Sequence, residues 1–367
     1  MECEDGAVIS GTGEASAYSG TVLSSSADIA RLDPIVRALM PDLDVTLTPT
    51  FVLASLGENW SPRVVVVHRD GGIVGIVYAK ERMVAGFRTG LIYGDGRLGN
   101  LLVAQPEHCD AVMRTAIASW FGLPRLHGVR LAISPASPEA RTLAAVHSST
   151  FDLTQDAASS AELHCALALP SDYETFLGTL GHRTRRNFRY YRRRFEAAGH
   201  RYLDQLSPGD LDRAASDLRS KCSIPSSASE IRRAVGTVLS TDDPWIVGLK
   251  HSNGEWLSVS AGWWGPSGAT MFLQVNNDRQ FGDASLSVVL RGYLIETLIG
   301  KRAPQLIFWS GSASPLSRYV RPIPALAVHL DAQTAGWRFV RAVVGITEPL
   351  IGKWITEDVR WMVGSRH

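Results

Sequence analysis

Lysine, clustered cysteine and long apolar runs are what this sequence has least of, and each shortage closes off a class of function. The four cysteines, Cys3, Cys109, Cys165 and Cys222, lie far apart, with no CxxC pair and no histidine at ligand spacing. A structural zinc needs clustered soft ligands, so no metal is expected, and the scattered thiols read as reduced, buried fillers. No apolar run approaches the ~20 residues that span a bilayer. The opening MECEDGAVIS is acidic and has no apolar leader core. The expectation is a soluble cytoplasmic protein. Neither a G-x-S-x-G elbow nor a Cys–His arrangement marks a covalent nucleophile. Lysine numbers five against 32 arginines. A GC-rich coding bias accounts for that imbalance, so the placement of an arginine carries more meaning than its type.

What is present is globular and close to neutral. Hydrophobic residues make up 45% and charged residues 20% of the chain, near the globular average. With 37 basic against 36 acidic residues, the whole molecule exerts no long-range pull on DNA or anionic membranes. A length of 367 residues predicts two domains, since single cores rarely grow past roughly 250–300 residues. Residues 1–26 are small, polar and aperiodic, the pattern of a disordered tail. Order is expected from SADIARLDPIVRALM, whose apolar residues recur at helical spacing behind a Ser26 or Asp28 cap.

Two hairpins organise the rest. PRVVVVHRDGGIVGIVYAKE is a strand, an Asp70-Gly71 turn and a strand, and PWIVGLKHSNGEWLSVSAGWW repeats the plan around Asn253-Gly254. Asp-Gly and Asn-Gly suit tight turns whose central residues both need positive φ. After each hairpin come a strand, a loop, a helix and a strand: FRTGLIYG, EHCDAVMRTAIASWF and HGVRLAIS first, then ATMFLQVNN, ASLSVVLRGYLIETLIG and PQLIFWSG. One α/β unit used twice explains this order. The predicted lobes are 27–160 and 161–331, with the seam at Leu153–Glu162. Residues 332–367 are expected to add a helical extension with Trp337, Val340 and Val344 on one docking face.

Between the second lobe's third strand and its helix stands Arg279-Gln280-Phe281-Gly282-Asp283-Ala284, followed by Ser285. A glycine-containing turn that opens a helix exposes unpaired N–H groups with about +0.5 of effective charge. A pyrophosphate can lie across them where no side chain intrudes, which Gly282 and Ala284 permit. Arg279 would meet a phosphate oxygen; Asp283 opposes an anion or caps the helix. Seven of the twenty residues in GHRTRRNFRYYRRRFEAAGH, Gly181–His200, are arginine. On a helix, Phe188, Tyr191, Phe195 and Ala198 form an apolar stripe, and Arg185, Arg189, Arg192, Arg193 and Arg194 spread over the remaining surface. That surface is either a solvated basic face or a place where Arg185 and Arg186 meet the phosphates or charge of a substrate. Further candidates are Asp278 as general base where the strand meets the loop, Gln274 and Asn276 as substrate hydrogen-bonders, and Trp263 as a pocket wall. Strand alternation sends either Trp263 or Trp264 inward.

Arg-x-x-Gly-x-Ala between strand and helix resembles the pyrophosphate loop of the GNAT acyltransferase superfamily. FLGTLGHRTRRNFRYYRRRFEAAGH resembles the arginine-rich helix opening the second half of Fem-like and CelD-like tandem-GNAT proteins, with Arg185, Arg186, Asn187, Phe188 and Arg189 carrying the match. The resemblance covers about Ala30 to Pro322. It implies an α/β (α+β) fold of two tandem GNAT-like lobes, each a mixed, largely antiparallel sheet flanked by helices. It further implies an acyl group moved from acyl-CoA, acetyl or longer, to a small-molecule or biosynthetic-intermediate amine, with no covalent intermediate. The second lobe would hold CoA at Arg279–Ser285, because the matching first-lobe loop DGRLGNLLVAQPE lacks the motif. GNAT enzymes place a tyrosine general acid near the position of Tyr319, although WSGSASPLSRYV lacks the Tyr-Lys pair common in CelD-like proteins. The rivals are a Fem-type enzyme that takes its group from aminoacyl-tRNA, and a degenerate scaffold that only binds.

Overall fold

The computed structural model describes residues 18–96, 101–146, 148–157, 164–223, 227–309 and 315–333. In chain order the early strands are β1 (Tyr18–Leu23), β2 (Trp60–Pro62), β3 (Val64–Arg69), β4 (Gly72–Val77), β5 (Lys80–Val84), β6 (Phe87–Gly96), β7 (Leu102–Ala104), β8 (Gly128–Ile133) and β9 (Phe151–Ala157). The later ones are β10 (Cys165–Ala168), β11 (Arg201–Leu203), β12 (Pro244–Lys250), β13 (Trp256–Gly265), β14 (Gly268–Asn276), β15 (Gln305–Phe308), β16 (Arg321–Pro322) and β17 (Leu326–Ala332). The helices are α1 (Ser26–Ala30), α2 (Asp33–Leu39), α3 (Pro49–Ser55), α4 (Cys109–Phe121), α5 (Pro138–Ala145) and α6 (Tyr173–Thr179). They continue as α7 (His182–Ala197), α8 (Pro208–Arg219), α9 (Ala228–Leu239), α10 (Asp278–Phe281) and α11 (Leu286–Gly300).

The chain divides into two compact units, Met1–Asp42 with Glu58–Ala158 and Pro324–His367, and Leu43–Gly57 with Ser159–Ile323. In the first unit the strands form a four-stranded sheet, β1-β3-β4-β7, and a six-stranded sheet, β2-β5-β6-β8-β17-β9. The repeat read from the sequence is therefore split here: the hairpin and the strand after it belong to different sheets. The second unit keeps its copy in one seven-stranded sheet, β11-β12-β13-β14-β15-β10-β16. Pairing is antiparallel except for β6 with β8 and β14 with β15, so both lobes are mixed, largely antiparallel α/β structures flanked by helices.

Local chemistry explains most element ends. Asp70 (φ 51) and Gly71 (φ 80) take the left-handed turn that their identities predicted. The second hairpin differs. Only Gly254 has positive φ, because His251–Gly254 closes a turn (Gly254 N–H to the His251 carbonyl, 2.9 Å) and the glycine then bridges back to the ladder. Ser207 and Ser227 head α8 and α9 with capping boxes completed by Asp210 and Glu230. The segment expected to be a disordered tail already contains β1, paired with β3 from Tyr18–Arg69 to Leu23–Val64. β17, which the sequence pattern assigned to the second lobe, lies between β8 and β9 in the first unit. The expected C-terminal helices, with Trp337, Val340 and Val344, fall outside the described residues.

Each unit has its own core. In the first, α4 lays Val112, Met113, Ala116 and Trp120 against Val65, Val67 and Val77. In the second, α11 is buried on nearly every face and packs with Phe176, Phe188, Leu257 and Phe308. A helix apolar all round is one enclosed by its fold. Among the described residues no helix is long and apolar enough to cross a membrane.

Candidate active site

The parallel pair β14–β15 holds for three steps, Ala269–Leu306, Thr270–Ile307 and Met271–Phe308. Beyond it, among the described residues, Phe272–Asn276 have no partner on that side. The corresponding pair in the first unit, β6–β8, stays in register from Leu91–Gly128 through Gly96–Ile133. Among the described residues, the second unit's parallel ladder is thus shorter than the first unit's.

The expected glycine turn is not a simple turn. Asn277 follows the strand, and α10 winds Asp278–Phe281 into one helical turn, fixed by Phe281 N–H to the Asn277 carbonyl (3.1 Å) and Asn277 Nδ2 to Gln280 Oε1 (2.8 Å). A 3₁₀ turn, Gly282–Ala284, follows. Gly282 has φ −53, so flexibility is not its purpose. A Cβ built there meets nothing within 4 Å, so the glycine fronts open space. Ser285 takes the left-handed conformation (φ 48) and opens α11 with no side-chain cap. Asp283 is exposed and does not cap either. Arg279 and Gln280 are exposed, while Phe281 and Ala284 pack partly on the main core. The segment thus offers an uncapped helix start, a bare glycine and an exposed arginine together.

Beside it runs a polar chain. Arg291 Nε donates to Gln274 Oε1 (3.0 Å), Gln274 Nε2 to Asn276 Oδ1 (3.1 Å), and Ser258 Oγ to the same Asn276 oxygen (2.5 Å). Gln274 and Asn276 are thereby brought together on the half of β14 beyond the Met271–Phe308 pair. Arg291 is 5% exposed, its guanidinium lies 5.3 Å from the Phe308 ring centre, and burial draws its pKa down to about 10. It still carries its charge at neutral pH. The sequence signal for it was there but unused: one arginine inside the apolar run LSVVLRGYLIETLIG.

The remaining candidates separate. Tyr319 sits at the start of α7, where its hydroxyl accepts from the Gly181 N–H (2.8 Å) and donates to Thr184 Oγ1 (3.3 Å). These partners, Thr184 foremost, hold its pKa below the usual tyrosine range, since each can donate to the phenolate. Arg185 and Arg186 lie on the same helix start, which has no acidic residue in its first turn. Neither arginine, nor Arg183, makes an ion pair among the described residues. Asp278 begins α10 rather than ending the strand, and takes a bond from Ser223 Oγ at 3.4 Å. No hydrogen bond joins it to Tyr319. Trp263 is a correction: at 1% exposure it is the inward tryptophan, enclosed by Phe51, Phe272 and Trp309, with no face left for a substrate.

The arginine helix also divides. Phe188 and Phe195 are buried as the stripe predicted, but Ala198 falls past the helix end and is exposed. Arg192, expected on the open surface, turns into the fold, bonding Glu196 (3.0 Å) and Glu296 (2.7 Å) over the Tyr293 ring at 4.3 Å. Arg189 pairs with Glu174.

Comparison by sequence finds no matching family model and no matching curated protein. Comparison by structure finds many neighbours. A conserved protein of unknown function from Bacteroides thetaiotaomicron VPI-5482 superposes with a TM-score of 0.55 at 13% identity, over 84% of this chain and 99% of the other. FemX gives a TM-score of 0.55 at 10% identity over 89% and 98%. The C-terminal domain of a putative lysylphosphatidylglycerol synthetase from Agrobacterium fabrum gives 0.53 at 12% over 89% and 97%. Likeness at such identities is a statement about fold alone: this chain has the fold that FemX and the synthetase domain share.

Proposed function

We propose that the protein is an N-acyltransferase that moves an acyl group from acyl-CoA, acetyl or longer, directly to an amine. The observation that carries this reading is the uncapped start of α11, preceded by Gly282, which faces open space. The donor's pyrophosphate would rest on the segment Arg279–Ser285, met by helix N–H groups and the Arg279 guanidinium. The thioester would lie toward Gln274 and Asn276. In the reaction the amine nitrogen forms a bond to the thioester carbonyl carbon, the carbon–sulfur bond breaks, and the nitrogen loses a proton while the thiolate gains one. Tyr319 is the proposed proton donor, its hydroxyl made more acidic by Thr184 and the α7 start. Asp278 is the proposed acceptor of the amine's proton, reaching it through water. Arg185 and Arg186, without ion-pair partners, would receive negative charge on the acceptor.

A second reading is kept because of those same arginines: a Fem-type aminoacyl-tRNA donor would lay its phosphates along α7. Equilibrium binding of acetyl-CoA and of charged tRNA, each across a salt series, separates the two. The acyl-CoA reading expects acetyl-CoA to bind and tRNA to bind weakly or not at all. Tight tRNA binding whose logarithm falls steeply with log salt, with no acetyl-CoA binding, would replace it. Binding of neither would leave a degenerate scaffold.

A further inference from the structure

The first unit holds a cavity of about 550 Å³ that the acyl-transfer reading does not use. Its floor is the pair Arg63–Glu81, both nearly buried, with Arg63 Nε donating to Glu81 Oε2 at 2.8 Å. The pair is fixed from every side. The Arg63 backbone donates to the Ala79 carbonyl (2.7 Å) and accepts from Trp120 Nε1 (3.1 Å); Nη1 reaches the Pro62 carbonyl (3.1 Å), and Glu81 Oε1 accepts the Gly90 N–H (3.0 Å). Gly90 has φ 70, and a Cβ there would collide with the Arg125 carbonyl, so the loop after α4 can close down only on a glycine. That loop supplies Leu123, Pro124 and Leu126, and with Ile92 and Phe87 they make the walls apolar.

Charge is unevenly placed in this cavity. Arg63, Arg88 and Arg125 line it against the single carboxylate of Glu81. Arg88 and Arg125 are exposed and make no hydrogen bond or ion pair among the described residues. Arg88 stands close enough to Arg63 to lower that guanidinium's pKa, adding to the larger effect of burial. At the rim, the β5–β6 turn of Ala85 and Gly86 leaves Phe87 78% exposed and Val84 48% exposed. Large apolar side chains left in water beside a concave, positively charged pocket mark a binding site more than they mark a folding need.

We propose that this cavity binds a small organic anion with an apolar body. The head group would meet Arg88 and Arg125, with Arg63 fixed behind them, and the body would lie against Phe87 and Leu123. The reading is independent of the acyl-CoA site, since every residue it uses belongs to the first unit.

The test is titration calorimetry of the full chain with octanoate and with the neutral octanol. Wild type, Arg88→Gln/Arg125→Gln, Phe87→Glu and Gly282→Trp would be compared. All four changed positions are exposed, so the variants keep the fold. Octanoate is expected to bind wild type at least about tenfold more tightly than octanol. Both first-unit variants should lose that margin, and Gly282→Trp should keep it. Absence of octanoate binding would overturn the proposal. So would equal affinity in Arg88→Gln/Arg125→Gln, or loss of binding in Gly282→Trp, which would put the anion in the second unit.

Discussion

Tyr319 is the residue on which a proposed chemical role and a structural one meet. A general acid works only while protonated, so activity should hold below its pKa and fall above it. Because Thr184 and Gly181 lower that pKa, the alkaline fall of the rate should begin below the usual tyrosine range. Thr184→Ala, which removes the first of those donors, should move the fall to higher pH while leaving the rate near neutrality largely intact. Tyr319→Phe should lower kcat by roughly 10²-fold or more and abolish the limb. A pH–rate series on the three proteins checks both; an unmoved limb in Thr184→Ala would remove Tyr319 from the chemistry. Sequence reading could nominate Tyr319 through a resemblance, but not its partners, which lie about 135 residues away in the chain. Gln274 and Asn276 were legible as polar residues on a strand running into the loop. Trp263 misled because alternation leaves two orientations open, and the choice was made by Phe51, a residue from a distant segment.

The arginine helix shows what periodicity can and cannot decide at the scale of an element. Spacing identified the buried face through Phe188 and Phe195, since a 3.6-residue repeat fixes which residues share a side. It could not sort the arginines, because that depends on carboxylates brought in by other helices. Glu296 on α11 captures Arg192, and Glu174 on α6 captures Arg189. Arg192→Ala should therefore destabilise the fold by about 1–2 kcal/mol, through the loss of its ion pairs with Glu296 and Glu196 and of a cation–π contact. Arg186→Ala should change stability by no more than about 0.5 kcal/mol. Urea midpoints on the two variants measure the difference. In the proposed reaction their order reverses, Arg186→Ala raising KM for an anionic acceptor. Likewise, strand, loop, helix and strand were each legible around Gly282, but α10 was not. It forms because Asn277 and Gln280 bond each other, a choice between turn and helix too local for pattern to resolve.

The chain as a whole is less sequential than its repeat. A linear reading put everything from 161 to 331 in one lobe, yet β17 returns to the first unit and the Leu43–Gly57 segment belongs to the second. Period and turn chemistry say what a segment becomes, not which sheet receives it, and β8 offers Val129, Leu131 and Ile133 to the same core that Val328 and Leu330 enter. β17 is also fastened electrostatically, with Arg130 donating to Asp331 at 2.5 Å, both nearly buried. Ending the chain at Ile323 should therefore unfold the first unit. It would separate β8 from β9 and leave Arg130 as a buried charge without that carboxylate, a loss of several kcal/mol. Limited proteolysis of the truncated chain should then cut first within 58–158.

The central claim, that acyl-CoA sits on the second unit's loop, is tested most directly by calorimetric titration of acetyl-CoA into wild type and Gly282→Trp. Open space around Gly282 and its helical φ mean that the indole fits without strain, so the variant should melt at the wild-type temperature. The account predicts binding by wild type and none by the variant. Equal binding by both, or no binding by wild type, would contradict it.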